Sequence, residues 1–338
     1  MRELTRRRLL SRLAPAAALA ALTPRQARAA AEFPLKFANN LPPSHPVNIR
    51  SAKAAARIAR ESSGRVEVSI FPNNQLGGDT DMLTQVRSGG IDMFTPGTLV
   101  VATMAPISAI TAVGFAFSRY DQVWNALDGK LGDRIRADFS KIGFHTFKKI
   151  WDNGFRQITT STKPINMADD LAGLKIRVPV SPMGVSMFKS LGASPTSLQF
   201  SEVYSALKTR IVDAQENPLA IVQTAKLYEV QRFCSMTNHS WDGFHFIFNG
   251  RSWEALPDDL KLIVERAFNE AGMLQREDVR KLNDELESDL AAKGMILNTP
   301  EPDSFRDRLQ KSGFYKEWKI KFGEETWAML EESAARPL

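Results

Sequence analysis

Two arginines in the middle of the chain have the chemistry to grip an anion. Arg177 closes the run Leu174-Lys-Ile-Arg-Val178 just before Pro179, which places it at the carboxyl end of an apolar strand. Side chains alternate along a strand, so Lys175 and Arg177 share one face. The carboxyl ends of strands point to the crevice where α/β proteins hold their ligands. A guanidinium binds a carboxylate through two parallel hydrogen bonds, a geometry that lysine cannot reproduce. Arg156, in Gly154-Phe-Arg-Gln-Ile158, begins a second strand-like run. The same patterns also suit structural salt bridges, and the residues by themselves leave both roles open.

Catalytic signatures are missing. There is no Gly-x-Gly-x-x-Gly, P-loop, Gly-x-Ser-x-Gly or His-Glu-x-x-His, so no cofactor is expected. The histidines are His45, His145, His239 and His245; the last two lie six apart, off a common helical face, and no cysteine pair accompanies them. No metal site is expected. The single cysteine, Cys234, sits beside Phe233 and reads as a buried, inert thiol. Trp151, Trp241, Phe244 and Phe246 cluster in sequence near the hinge strands. They serve as core or, with Trp241 facing a cleft, as a stacking surface for an aromatic or branched acid. Asn40, His45 and Asp79 are candidates to meet the hydroxyls of a sugar acid.

The elements that must position these groups alternate between strand and helix. Leu35–Phe37 and Val66–Ile70 have strand patterns, as does Ile91–Phe94, and helices run through 47–59 and from Asp79 or Thr80 as cap to Arg87. This order predicts a largely parallel sheet. A second lobe begins near Trp151, with strands at 156–160, 174–178 and 211–213 and helices at 182–191 and 201–209. Around Phe246–Phe248 the chain returns to the first sheet. From Pro257 the pattern stays helical to Lys293, with Gly294 as the stop; two shorter helices broken near Gly272 are the alternative. The expected layout is lobe I over 30–150, lobe II over 151–243, and a return strand, spanning helix and C-terminal helices over 244–338. Two sheets joined by more than one crossover leave a cleft suited to a small ligand.

The first 29 residues read as a secretory signal. A basic head containing Thr5-Arg-Arg-Arg-Leu-Leu10 precedes an apolar run from Leu13 to Leu22 and the small residues around Ala27-Arg-Ala29. That run of about ten residues is too short for a bilayer, which needs roughly 20. The arginine order matches a twin-arginine address, with an ordinary Sec signal as the alternative. The charge count depends on this segment. The whole chain has 44 Lys and Arg against 38 Asp and Glu, and residues 1–29 hold seven arginines and one glutamate. The remainder carries 37 of each sign, so a nucleic-acid or membrane-surface role based on a basic domain loses its support.

Several collinear runs carry a family resemblance: Phe71-Pro-Asn-Asn-Gln-Leu-Gly77, Gly154-Phe-Arg156, Lys175-Ile-Arg-Val-Pro179, Leu191-Gly-Ala193, Phe200-Ser-Glu-Val-Tyr204 through Asp213-Ala-Gln-Glu-Asn217-Pro218, and Tyr228-Glu-Val-Gln231. Together they resemble the DctP-type substrate-binding subunits of tripartite ATP-independent periplasmic (TRAP) transporters. The resemblance implies a two-lobed α/β periplasmic binding protein with crossover strands and a long helix spanning both lobes. It implies a monomer that closes on a small organic acid and delivers it to the small and large subunits of a membrane permease. By the same resemblance, Arg177 pairs with the ligand carboxylate and Asn217 donates an amide hydrogen bond to it. Arg156 is a second cationic position, Phe200 packs on the ligand, and Asn40 is a polar contact. Arg210 departs from the pattern, standing where the family has glycine.

Two arginines over-charge a site for a monocarboxylate unless an acid or a C2 oxygen on the ligand compensates, so a 2-oxo or 2-hydroxy acid is expected, with a sugar acid as the alternative. The rival of another class is an exported periplasmic enzyme, against which the missing motifs argue.

Overall fold

A computed structural model describes residues 30–338, so the export signal read at 1–29 lies outside the described residues. Twelve strands form two sheets. The first six are β1 (Phe33–Ala38), β2 (Val66–Phe71), β3 (Met93–Phe94), β4 (Phe144–Thr146), β5 (Trp151–Thr160) and β6 (Lys175–Val178). The others are β7 (Ser194–Ser197), β8 (Ala214–Pro218), β9 (Phe233–Ser235), β10 (Trp241–Phe244), β11 (Ile247–Asn249) and β12 (Ile296–Asn298). One sheet has the order β2-β1-β3-β11-β4; the other runs β12-β9-β5-β8-β6-β7, with β10 paired to β5.

β1 lies parallel to both β2 and β3, as the strand–helix alternation predicts, while β11 enters antiparallel between β3 and β4. The chain passes between sheets from β4 to β5 and again from β10 to β11. These short crossings make the fold two-lobed and place β5 and β10, antiparallel partners, at its waist. A third passage is made by the helix Asp258–Ala292, unbroken over 35 residues and about 50 Å long. Its Leu260, Val264 and Phe268 pack with Phe37 and Val66 of the first sheet. Its Leu286 and Leu290 pack with Val212 and Cys234 of the second lobe. Arg50 of the first helix (Pro46–Glu61) grips Asp278 with two 2.5 Å hydrogen bonds.

Gly272 stays within this helix because Trp151, fully buried at the start of β5, lies against it. A Cβ at Gly272 would stand 2.6 Å from the indole nitrogen. Three residues on, the Gln275 amide accepts from the Asp152 backbone N–H (2.8 Å) and donates to its carbonyl (2.7 Å), fastening β5 to the helix.

Two local expectations shift. The strand placed at 211–213 is found at 214–218, because Arg210–Asp213 are spent turning the chain out of the preceding helix, Val203–Lys208. Arg210 takes the left-handed conformation (φ 59°) that glycine adopts without strain, and the turn survives with Ile211 N–H bonded to Ala206 O at 3.0 Å. Asp79 is the first residue of its helix (Asp79–Ser88) rather than the cap. The capping carboxylate is Asp81, which accepts from Gly78 N–H at 3.1 Å and leaves Asp79 free to face inward.

Replacing Gly272 by valine overpacks the contact with Trp151. It should lower stability by about 1–3 kcal/mol, read as a reduced urea midpoint. An unchanged midpoint would mean that the helix and β5 separate at no cost.

Candidate functional site

The waist of the molecule lines a small cavity of about 40 Å³. β5 contributes Asn153 and Arg156, β6 Arg177, β8 Asn217 and β10 Asp242. The first lobe adds Asn40 from the loop after β1 and Asp79 from a helix start, and Phe200 closes one side. Six of the eight residues singled out in the sequence therefore meet here: Arg177, Asn217, Arg156, Phe200, Asn40 and Asp79. The other two do not line the cavity. Trp241 is 1% exposed, donates its indole N–H to Asp152 at 3.0 Å, and packs edge-on against Trp124. It is core. His45 caps the first helix, its Nδ1 accepting from Val47 N–H at 3.2 Å, and burial pushes its pKa down to about 3, so the ring is neutral.

The two arginines differ in the way that matters most. Arg156 is already neutralised. Its Nε and Nη2 engage the Glu216 carboxylate, and Nη1 meets Asp242 at 2.6 Å. Nη2 also donates to Glu216 O (2.7 Å) and Asn217 Oδ1 (3.2 Å). Burial works against this guanidinium's charge, yet the two carboxylates outweigh it and hold its pKa above the ordinary value. Burial likewise opposes the charge of Glu216, but Arg156 and a hydrogen bond from His239 bring its pKa down to about 2. Since a carboxylate only accepts, His239 must carry its hydrogen on Nε2 (3.2 Å from Glu216), leaving Nδ1 to accept from the Thr237 hydroxyl at 2.8 Å.

Arg177 has no such partner. Nε and Nη2 both donate to the Leu198 carbonyl (3.0 and 2.7 Å), and no carboxylate lies within ion-pair distance among the described residues. The side chain is 2% exposed, and its pKa falls to about 10, driven first by burial and offset by the more distant charge of Glu216. Arg177 is thus a buried cation with hydrogens to spare. Of the two ways to compensate a second arginine, an acid or a C2 oxygen on the ligand, the structure has the acid: Glu216 and Asp242 pair with Arg156. Lys175, read on the same strand face as Arg177, is solvent-exposed at the start of β6.

Asp79 lies across the cavity, accepting from Asn40 Nδ2 at 2.7 Å and Phe200 N–H at 3.4 Å. Burial raises its pKa, with Arg177 opposing. Asn217 bonds Gln215 through one amide hydrogen (2.5 Å), which leaves the other free.

Asn153, Glu216 and Asp242 are the members that sequence reasoning missed. β5 carries an extra residue opposite the step Asp242–Gly243: Gly154 pairs with Asp242 and Asp152 with Gly243, so Asn153 is bulged, beside Gly154 at φ +115°. A bulge re-aims a side chain, and here Asn153 Nδ2 meets Asp242 at 2.9 Å. Glycine at 154 next to a polar residue was the available signal. Glu216 and Asp242 were legible only through the rule that a buried arginine needs acids.

Asn40 and Asn153 each commit their NH₂ to a carboxylate, which fixes the amide orientation. Their carbonyl oxygens remain buried acceptors without a partner. The residues lining the cavity therefore include a guanidinium without an acid partner, an uncommitted amide N–H and two buried acceptors without a donor. A larger hollow of about 790 Å³ lies near Met104, Met183 and Trp318, but its basic rim is spent: Lys141 bonds Asp138 (2.6 Å), Lys321 bonds Glu317 (2.5 Å) and Arg134 bonds Glu325 (3.1 Å). It lacks the waiting charge found at Arg177.

Residues 37–317 match a family described as DctP, bacterial extracellular solute-binding protein, family 7. Two curated relatives are an uncharacterised protein y4mM of Sinorhizobium fredii and the 2,3-diketo-L-gulonate-binding periplasmic protein YiaO of Escherichia coli. The first is 33% identical over 81% of this chain, which spans only half of that protein's length. The second is 34% identical over 74% of this chain and 77% of YiaO. Among solved structures, a TRAP periplasmic solute-binding protein of Sulfurospirillum deleyianum with bound succinate superposes with TM-score 0.83, at 29% identity over 91% of this chain and all of that one. The sugar acid binding protein DctPAm of Advenella mimigardefordensis, with galactonate, gives 0.85 at 28% identity, over 89% and 97%.

Removing the acid that neutralises Arg156 should be costly. Glu216→Gln is expected to lose about 3 kcal/mol of stability, the scale for breaking a buried ion pair. The folded pKa of Glu216 lies near 2 and its ordinary value is 4.5. Its stabilisation is therefore complete above pH 4.5 and declines as pH falls toward 2. Denaturation curves of the two proteins should be well separated at pH 7 and converge below pH 4.5; a gap that widens on acidification contradicts the pairing.

Proposed function

The chain belongs to the DctP family of bacterial extracellular solute-binding proteins, family 7, the substrate-binding proteins of TRAP transporters, and we propose that it captures a small hydroxylated monocarboxylate and delivers it to a membrane permease. The observation that carries this reading is Arg177, a buried guanidinium without an acid partner. A carboxylate entering the closed cavity loses its water and must be met by charge-assisted hydrogen bonds, roughly 1.5–3 kcal/mol each. Arg177 supplies the charge and Asn217 its spare N–H. Arg156, held by Glu216 and Asp242, orients Asn217 and serves as a neutral scaffold rather than as a second charge on the ligand.

The C2 oxygen is better read as a hydroxyl than as a ketone. The acceptors on Asn40 and Asn153 have no donor, and a simple 2-oxo acid such as pyruvate has none to give at C2. A site built to bond a hydroxyl discriminates strongly against analogues that lack it, because its own buried groups are left unpaired. An aromatic acid loses its support, since Trp241 is buried away from the cavity. A sugar acid supplies hydroxyls and agrees with what DctPAm is named for, whereas YiaO is named for a 2,3-diketo acid, whose hydroxyls lie beyond C2 and C3. No helix among the described residues is long and apolar enough to cross a membrane. We further propose that the protein works in the periplasm as a monomer, beside the small and large TRAP membrane subunits, as a binder and not an enzyme.

Calorimetry on Arg177→Ala tests the grip. Loss of a buried, hydrogen-bonded charge pair is worth on the order of 2–5 kcal/mol, about 30- to 4000-fold in Kd, and Arg177→Lys should recover only part of it. Affinity for the cognate acid that survives intact in a folded Arg177→Ala protein sinks the proposal. In the unaltered protein, lactate should bind more tightly than pyruvate; the reverse order would remove the hydroxyl reading and leave the carboxylate.

A further inference from the structure

The turn Leu198–Phe200 reaches from the second lobe to the first. Leu198 is fastened to its own lobe: its N–H donates to Val178 O at the end of β6 (3.2 Å), and its carbonyl accepts from Nε and Nη2 of Arg177 (3.0 and 2.7 Å). Gln199 has a non-helical backbone (φ −58°, ψ 151°) before the 3₁₀ turn Phe200–Glu202, and its N–H donates to the Glu202 carboxylate at 2.9 Å. Its side chain is left to cross over, and Nε2 donates to Thr80 Oγ1 at 2.5 Å. Phe200 N–H then meets Asp79 Oδ2 at 3.4 Å. Both acceptors belong to the first turn of the first-lobe helix Asp79–Ser88, and none of the four residues lies on β5, β8 or β10, the strands of the waist.

The crossing has room because of Gly78. A Cβ there would stand 3.4 Å from the Gln199 amide carbon, so a methyl fits and a longer side chain meets the amide. The backbone of Gly78 (φ −69°) suits any residue, so this glycine supplies space rather than conformation. Thr80 and Gln199 are half-buried and line no part of the Arg177 cavity. When the lobes part, both groups can bond water instead, and their bond favours the closed form by the modest amount of an ordinary hydrogen bond. Gln199 Oε1 is buried without a donor in the closed form, a cost that keeps the contact releasable.

Arg177 ties the two ends together. The guanidinium placed to meet a ligand carboxylate also fixes Leu198, and the next two residues bind the first lobe. An acid on Arg177 restrains the same side chain that anchors the turn. A contact made only when the lobes are together slows their opening, and a shut cavity holds its ligand longer.

We propose that Leu198–Phe200 is a latch between the lobes, in which the Gln199–Thr80 bond sets how long an acid gripped by Arg177 stays bound without touching it. Only the acid rests on the carboxylate reading above; the latch is a property of the protein alone.

Stopped-flow kinetics with lactate, and distances between spin labels on Lys53→Cys and Lys208→Cys, test it. Both positions are exposed, one in each lobe, and Cys234 is fully buried and stays unlabelled. Gln199→Ala and Thr80→Val should each release lactate about fivefold faster, the effect of one hydrogen bond, with association within about twofold. The double variant should match either single one, since both remove the same bond. Thr80→Ser, which keeps the hydroxyl, should behave as the unaltered protein. In labelled protein with saturating lactate, either loss should add a longer lobe-to-lobe distance. Unchanged release and distance in both variants, or losses that multiply in the double variant, overturn the latch and leave the carboxylate grip standing. Faster release at an unchanged distance gives the pair a merely local role and overturns the latch too. If lactate fails to bind the unaltered protein, the carboxylate reading falls, and the unliganded distances decide the latch: equal distributions in the unaltered and variant proteins overturn it.

Discussion

A guanidinium shut away from water must be met by carboxylates, and the architecture of the waist follows from how Arg156 meets that demand. Its partners come from two other strands, Glu216 on β8 and Asp242 on β10. Three strands are thereby locked together at one point. Asp242 in turn accepts from Thr98 N–H of the first lobe at 2.9 Å, and a Cβ at Gly97 would stand only 3.1 Å from its carboxylate. The same ion cluster that holds the second sheet in register thus reaches across to the first lobe. Such clusters are weak sources of net stability, since desolvation consumes most of the Coulomb gain. Their value here is positional.

The consequence is an asymmetry between two arginines of the same site. Arg156 spends its charge on the protein, and Arg177 keeps its own. An anionic ligand therefore meets one uncompensated cation, whose hydrogen-bonding face is fixed by two bonds to a carbonyl rather than by a competing acid. Beyond ion-pair distance, Glu216 first and Asp79 after it favour the Arg177 charge, while burial of Asp79 raises its own pKa. Around that cation the unpaired groups are mostly acceptors. In the proposed function, charge selects an acid and the acceptors select hydroxyls on it.

The lobes are coupled through few segments. β5 and β10 carry the crossings, and the long helix runs past both, clamped to β5 by Gln275 and by the close fit of Trp151 under Gly272. Arg276 adds a bidentate bond to Asp128 (2.9 and 3.0 Å) and stacks on Trp124 at 3.8 Å. The waist is therefore a densely bonded platform. Phe200 and Asn40, by contrast, bond Asp79 of the first lobe rather than the platform, at 3.4 and 2.7 Å.

Much of this was legible in the residues. Period-two and helical spacing are local properties, so the parallel start of the first sheet, the strands at 156–160 and 174–178, and a helix ending before Gly294 follow from sequence alone. So does a crevice end for Arg177, and the collinear runs from Phe71 to Gln231 identify the family. Pairing across space is not local. Arg156 and Asp242 are separated by 86 positions, and only the folded register decides that they meet. That meeting gives Arg156 two acid partners within the cavity wall, and burial makes Trp241 core and His45 a helix cap. The bulge at Asn153 depends on how β5 and β10 slip past each other by one residue, which no periodicity records. The sequence determined which groups were present to bind an acid; only the tertiary structure decided which of them kept a free charge or lone pair for it, because burial and pairing are properties of neighbours in space.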